Sequence, residues 1–229
     1  MSAKIVHIKM MYINAELLCY KMPIVMMKKM SLTRFEAAEP KRARPEQNPI
    51  GTAQKPSGTA KRNRPNSSLI EASYRNNVPS VQSFLNNNKT DVNQADEDGA
   101  TPLFITCLKG RADIVRLLLA RKDIQINLAD DEGTTPLYIA CQNGHMDVVR
   151  LLLARKEIQI NLADEEGTTP LYITCQNGHV DIVQLLLARK DIQINQADVE
   201  GTTPLYTACR KGHVDVVQLL LARKDIQIN

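Results

Sequence analysis

The chain has 229 residues, of which 43% are hydrophobic and 24% charged, and its formal net charge is +4. This composition is that of a globular protein and excludes a wholly disordered chain. No stretch approaches the roughly 20 apolar residues of a membrane helix, and no secretory signal begins the sequence, so we expect no membrane span and a cytoplasmic protein.

The first 66 residues differ from the rest in charge and pattern. Residues 1–64 contain 13 Lys or Arg and only 4 Asp or Glu, and residues 1–66 show no sustained helical or strand period. We therefore expect residues 1–66 to form a disordered basic region. Its clusters Pro40-Lys41-Arg42-Ala43-Arg44 and Lys61-Arg62-Asn63-Arg64 suit nuclear import, which makes a nuclear location the alternative. We do not expect nucleic-acid binding, because no aromatic residue interleaves the clusters to stack on bases.

The remainder of the chain is a repeat of 34 residues. The string that begins at Gly99 returns at Gly133, Gly167 and Gly201, which predicts four copies: copy one at 99–132, copy two at 133–166, copy three at 167–200 and an incomplete copy four at 201–229. A degenerate capping copy is predicted at 67–98. Its apolar residues Leu69, Ala72, Val81, Phe84, Leu85 and Val92 lie 34 positions before Leu103, Thr106, Val115, Leu118, Leu119 and Ile126 of copy one.

The sequence of each copy predicts two helices and a turn. Thr135 is a suitable N-cap and Pro136 a suitable first helical residue, while Asn143-Gly144 is a typical helix end. A second helix follows, with Asp147 in its first turn, and its run of Val and Leu is apolar nearly all round, so we expect it to be buried between neighbours. The polar stretch 161–167 predicts a turn into the next copy. No copy can bury its apolar faces alone, so the copies are expected to stack into a solenoid.

This pattern resembles the ankyrin repeat over residues 67–229. The residues that carry the resemblance in copy two are Gly133, Thr135, Pro136, Leu137, Ala140, Gly144, His145, Val149, Leu152, Leu153 and Asn161. The copies depart from the family pattern at Phe104, Tyr138, Tyr172 and Tyr206, which replace its first His, and in an ending that is one residue longer. The resemblance implies an all-α ankyrin-repeat solenoid of stacked helix-turn-helix units with loop or β-turn fingers. It also implies a scaffold that binds a protein or peptide on its concave surface.

Residues with chemical potential recur once per copy, as packing residues do. We expect Cys107, Cys141, Cys175 and Cys209 to be core thiols, since stacked helices lie about 8–10 Å apart, too far for a disulfide. His145, His179 and His213 are interpreted as loop braces, with Arg111 in their place in copy one. No phosphate loop or hydrolase motif occurs, and a solenoid sets like groups in a row. We therefore expect no catalysis, no cofactor, no metal and no small-molecule substrate.

The ankyrin resemblance places the partner on the finger tips and the adjoining face of the first helix. The tips are acidic, which predicts a partner with basic residues. The expected partner-binding residues are Glu97, Asp98, Leu108, Lys109, Asp131, Glu132, Thr134, Gln142, Asn143, Glu165, Glu166, Thr168, Gln176, Asn177, Glu200, Thr202, Arg210 and Lys211.

Two other functions are open at this point. The first is a nuclear regulatory adaptor imported through the basic region, and the second is a targeting module or fragment of a larger protein with a catalytic domain. Copy four matches the interior copies and lacks the polar outer face of a terminal repeat. We expect it to belong to a longer array or to support end-to-end self-association.

Overall fold

The computed structural model describes residues 68–228, which belong to a compact unit spanning Pro65–Asn229. Within residues 68–228 there are ten helices in five consecutive pairs and no strand. The helices are α1 (Leu69–Tyr74), α2 (Val78–Asn86), α3 (Pro102–Leu108), α4 (Ala112–Leu119), α5 (Pro136–Gln142), α6 (Met146–Leu153), α7 (Pro170–Asn177), α8 (Val180–Leu187), α9 (Pro204–Lys211) and α10 (Val214–Leu221). The expected basic region, residues 1–66 with its two clusters, lies outside the described residues.

The first helix of each copy begins where the sequence predicts. The Thr135 hydroxyl accepts a hydrogen bond of 3.1 Å from the Tyr138 backbone N–H, and Pro136 opens the helix. Thr101, Thr169 and Thr203 cap their helices in the same way. Helix α5 ends at Gln142, two residues before Gly144, whose φ of +71° is a left-handed conformation that favours glycine. The Thr-Pro start and the Gly stop therefore set the helix length.

The second helix is amphipathic, which corrects the expectation that it is apolar nearly all round. Val148, Val149 and Leu152 of α6 are buried, but Arg150 and Ala154 are exposed. The difference arises because the helix packs only along one side: α6 lies between α4 and α8 and against α5 of its own copy. The remaining side faces water, where Arg150 and Asp147 are placed without a desolvation cost.

Helices stack in two rows across the copies. First helices α1, α3, α5, α7 and α9 pack each on the next, and second helices α2, α4, α6, α8 and α10 do the same. The core between the rows is a column of leucines, among them Leu103, Leu137 and Leu171 on the first helices and Leu118, Leu152 and Leu186 on the second, each at most 1% exposed. Burial of each contributes about 1.5–3 kcal/mol to the free energy of unfolding. The predicted helical solenoid is confirmed.

A histidine braces each interior pair of copies, as the sequence predicts. Nε2 of His179 lies 3.1 Å from the carbonyl oxygen of Gln142, and Nε2 of His145 lies 3.1 Å from that of Leu108. His213 repeats the contact on Gln176 at 2.9 Å. Each ring therefore binds the end of the preceding first helix, where carbonyl groups lack helical partners.

An arginine joins the second helices, a contact that sequence reasoning missed. Nη1 of Arg189 donates to the carbonyl oxygen of Leu153, the last residue of α6, at 3.0 Å. The same side chain forms a bidentate pair with Asp191, at 3.0 and 2.8 Å. Arg121, Arg155 and Arg223 make the equivalent contact to the preceding copy. A cation at the carboxyl end of a helix is favourable, so the longer ending is held by this arginine.

An asparagine ladder fixes the loops that follow the second helices. Nδ2 of Asn161 donates to the Asp191 carbonyl oxygen at 2.7 Å, and its Oδ1 accepts from the Gln193 backbone N–H at 2.9 Å. Asn93, Asn127 and Asn195 make the same two bonds to the following copy. Each loop is thereby tied to its neighbour, which keeps the fingers at a constant spacing.

Candidate protein-binding surface

Each finger is a tight turn organised by an aspartate at its base. Oδ1 of Asp130 accepts hydrogen bonds from the backbone N–H groups of Thr134, at 2.8 Å, and Glu132, at 3.1 Å. The Asp130 N–H donates to the Thr134 carbonyl at 3.0 Å and closes the turn. Asp96, Asp164 and Asp198 take the same role in the other fingers. These four carboxylates hold the backbone and are set apart from those at the tips.

The fingers are bonded to one another through their backbones. The Asp131 N–H donates to the Asp98 carbonyl at 3.1 Å, and the Glu165 N–H donates to the Glu132 carbonyl at 3.2 Å. The Val199 N–H continues the series to Glu166 at 3.0 Å. Four fingers therefore form one continuous edge whose spacing does not depend on side-chain contacts at the tips.

Seven exposed carboxylates line this edge. We call them the tip row: Glu97, Asp98, Asp131, Glu132, Glu165, Glu166 and Glu200. The ion pairs formed within residues 68–228 all lie elsewhere, so no tip-row carboxylate has a basic partner among the described residues. The structure thus brings together the acidic tips that the sequence predicted, as an unneutralised negative edge.

The ends of the first helices vary between copies. Leu108, Gln142 and Gln176 are half-buried, whereas Lys109, Asn143, Asn177, Arg210 and Lys211 are exposed. Nζ of Lys109 lies 5.0 Å from the ring centroid of Tyr74, and the Arg210 guanidinium lies 5.9 Å from that of Tyr206, both within reach of a cation–π contact. Asn177 donates through Nδ2 to the Gln142 carbonyl at 2.9 Å.

Two residues of the predicted surface are structural instead. Thr134 and Thr168 are only 8% and 6% exposed, and Thr202 is half-buried. Their backbone N–H groups donate to the aspartate at the finger base, as described for Thr134. The sequence places them beside the tips, but the turn directs them into the stack. We therefore leave Thr134 and Thr168 out of the candidate surface.

A tyrosine lies near the base of the next finger, a placement that the sequence did not reveal. Burial, first, and the charge of the Asp164 carboxylate, second, raise the pKa of the Tyr138 hydroxyl, so it stays protonated. Burial, first, and Asp198 raise the pKa of the Tyr172 hydroxyl in the same way. The replacement of the family's first His by Tyr was the available signal. Phe104 in copy one lacks the hydroxyl.

The recurrent thiols belong to the core. Cys107, Cys141 and Cys175 are buried, as predicted, while Cys209 is half-buried. Burial raises the pKa of Cys141 to about 12. Among residues 68–228 no three His, Cys, Asp or Glu side chains are grouped as a metal would require. In the same part of the chain no helix has the length and apolarity to cross a membrane.

Paired helices stacked in two rows, with bonded fingers along one edge, define a helical-repeat solenoid. A family model of ankyrin repeats (3 copies) matches the chain over residues 69–164 and again over residues 155–229. These two matches cover more than half of the chain, which therefore belongs to the ankyrin-repeat family. No curated protein matches the chain. Ankyrin repeats are generally protein-protein interaction modules and are typically non-catalytic.

Proposed function

We propose that this chain is a scaffold that binds a protein or peptide through the tip row and the adjoining ends of the first helices. The partner carries basic residues opposite the tip row. The observation that carries this proposal is the row itself: seven exposed carboxylates on one backbone-bonded edge, without a basic partner among residues 68–228. Catalysis by the chain itself is not part of the proposal.

The rigidity of the edge supports a binding role. Association costs free energy when loops must be ordered, and here each finger is already fixed by its base aspartate and by its neighbour. Aligned like charges also create a field that accelerates encounter with a basic partner. Because the carboxylates are exposed, added salt screens them, so binding weakens as ionic strength rises.

The location and wider context stay predictions. A cytoplasmic location, its nuclear alternative and membership of a larger catalytic protein all depend on features other than the tip row. End-to-end self-association through copy four is likewise a separate proposal. Light scattering of the full-length chain tests it, because a monomer at high concentration would contradict it.

The test compares two full-length variants with matched changes of charge. In the tip variant Asp131→Asn, Glu132→Gln, Glu165→Gln and Glu166→Gln neutralise the middle of the tip row. In the control variant Asp113→Asn, Asp147→Asn, Asp181→Asn and Asp215→Asn neutralise four exposed acids of the second helices. Both variants lose four negative charges, and thermal melts show whether each is folded.

Capture from native cell extract is then quantified for the wild type and both variants. We expect a partner that the wild type and the control variant retain and the tip variant loses. A partner held equally by all three would contradict the proposed surface, and so would capture that does not decline as salt is added.

A further inference from the structure

Copy four differs from copy three at five positions, and two of the five carry exposed side chains. These two are Arg210-Lys211, which replaces Gln176-Asn177. The other three changes place Thr207, Ala208 and Val216 in the core. On the finger that precedes copy four, Val199 occupies the position of Glu165. The inter-copy ladders are unchanged across this junction, since His213, Arg223 and Asn195 make the same bonds as their equivalents. Packing therefore does not require the changes at the exposed positions.

Val199 is an apolar side chain at a position that faces water. It is 74% exposed, and its equivalents Asp131 and Glu165 are exposed as well. Its backbone N–H is bonded to the Glu166 carbonyl, so the side chain is held on the finger edge. An exposed valine gains free energy only when another apolar group covers it.

Two cations lie in the last turn of α9, the first helix of copy four. The Arg210 guanidinium lies 5.9 Å from the Tyr206 ring centroid and so reaches back toward the start of that helix. Lys211 follows on the exposed side of α9. Neither cation forms an ion pair within residues 68–228. We call Val199, Tyr206, Arg210 and Lys211 the copy-four patch.

The charge of the binding edge therefore changes sign along the stack. The first finger and helix end carry two tip carboxylates and Lys109, and the next two carry two tip carboxylates each and no cation. The last carries Glu200 alone together with Arg210 and Lys211. Two carboxylates against Lys109 leave the first finger and helix end with a net charge of −1, so the negative section spans the first three fingers and the positive section is confined to copy four.

We infer that the copy-four patch binds an acidic side chain of the partner, with an apolar neighbour against Val199, while basic residues of the same segment face the first three fingers. This inference rests on the proposed function and specifies its partner: one protein segment, basic over most of its length and acidic and apolar at one end. A segment of that kind binds in one direction only, because reversal places like charges together.

The spacing of the stack sets the spacing of the segment. Neighbouring copies lie about 8–10 Å apart, and an extended chain advances about 3.3 Å per residue, so one basic residue in three meets successive fingers. The probes are therefore a synthetic peptide with Arg at every third position over nine residues followed by Leu-Glu, and the same peptide ending in Leu-Gln.

Binding of both peptides is measured by fluorescence anisotropy at low salt, with the full-length wild type and the variant Arg210→Gln/Lys211→Asn. The variant gives copy four the residues that copies two and three carry at these positions, so the fold accommodates them. We expect the wild type to bind the Glu peptide about two- to fivefold more tightly than the Gln peptide, the range of exposed ion pairs. The variant is expected to lose this preference and to keep its affinity for the Gln peptide.

The results separate this inference from the proposed function. Equal preference in the wild type and the variant would overturn the inference, and so would the absence of measurable binding by both peptides. If the preference is absent but both peptides still lose affinity for the tip variant, only the inference fails. If the tip variant binds both peptides as tightly as the wild type does, the proposed function fails together with the inference. Val199→Ser supplies a second check, because it removes the apolar side chain without adding a charge. It should weaken the binding of both peptides, and it should leave unchanged the binding of peptides in which serine replaces the leucine.

Discussion

His179 lies directly over Gly144 of the preceding copy, and the contact leaves no room for a side chain there. A methyl group on Gly144 would lie 2.8 Å from Cε1 of His179, while Nε2 of that ring is bonded to the Gln142 carbonyl. Gly110 and His145 form the same pair. In the capping copy Asn76, with φ of +55°, stands in place of this glycine, and the residue 35 positions later, Arg111, stands in place of the histidine. Glycine and histidine therefore occur together as one contact pair.

Gly144→Ala tests this contact pair. We expect it to lower the free energy of unfolding for two reasons: alanine at φ of +71° costs about 1–2 kcal/mol, and crowding against His179 costs about 1–3 kcal/mol more. In a His179→Ala background the second cost should vanish, so the double variant is less destabilised than the sum of the single ones. Urea denaturation of the four proteins measures the coupling, and strict additivity would contradict the contact.

The asparagine ladder predicts that Asn161→Ala is destabilising although the loop lies near the surface. Two hydrogen bonds to the next copy are lost, each with a net contribution of about 0.5–1.5 kcal/mol. Asn161→Asp should be no better, because a carboxylate cannot donate to the Asp191 carbonyl. Gln159→Ala is the control, since that side chain is exposed, and it should change stability by at most about 0.5 kcal/mol. Urea midpoints that do not differ between Asn161→Ala and the control would rule the ladder out as a stabilising feature.

The ion pair between Arg189 and Asp191 predicts that part of the free energy of unfolding is lost in acid. The hydrogen bonds from Arg189 hold the pKa of the Asp191 carboxyl below its ordinary value. The folded state therefore binds this proton less readily than the unfolded state, so the contribution of Asp191 is complete above the unfolded pKa, about 3.9. It is lost as pH falls through the lower folded pKa.

Asp191→Asn should accordingly flatten the dependence of stability on pH below about pH 5. Arg189→Gln should flatten it to the same extent, and the double variant should show no further change, because the two groups act as one pair. Urea denaturation at a series of pH values gives the curves. A wild-type slope that survives in either single variant would show that other groups carry it.

The buried thiols predict selective alkylation. Burial raises the pKa of Cys141 to about 12 and that of Cys107 and Cys175 further still, and the thiolate is the reactive form. At pH 8 iodoacetamide should therefore modify the half-buried Cys209 before these three. Peptide mass spectrometry on a Cys19→Ser chain gives each rate, and urea should make the four rates converge. Early labelling of Cys141 in the native state would contradict the burial.

The local features of the fold could be predicted from the sequence alone. Thr-Pro starts, Asn-Gly or Lys-Gly ends and the 34-residue period fixed the helix pairs, because caps and turns depend on residues within a few positions of one another. The acidic tips were predicted for the same reason, since the turn residues that form a finger are adjacent in sequence. Their exposure on one edge follows from the period.

The contacts between copies required the tertiary structure. The partners of His179, Arg189 and Asn161 are backbone atoms 37, 36 and 30 residues away, and only the stack decides which carbonyl meets which side chain. The sequence showed that these residues recur, and for His it suggested a brace, but recurrence alone does not name the atom that is bound.

The exposure of neighbouring residues was also decided in three dimensions. Glu132 and Thr134 are two residues apart, yet one is exposed and the other is buried at 8%. The sequence by itself determined the repeat, the helix ends and the sign of charge at the tips, because these arise from local chemistry. The stack decided which of those residues stay exposed, because burial depends on what the neighbouring copy covers.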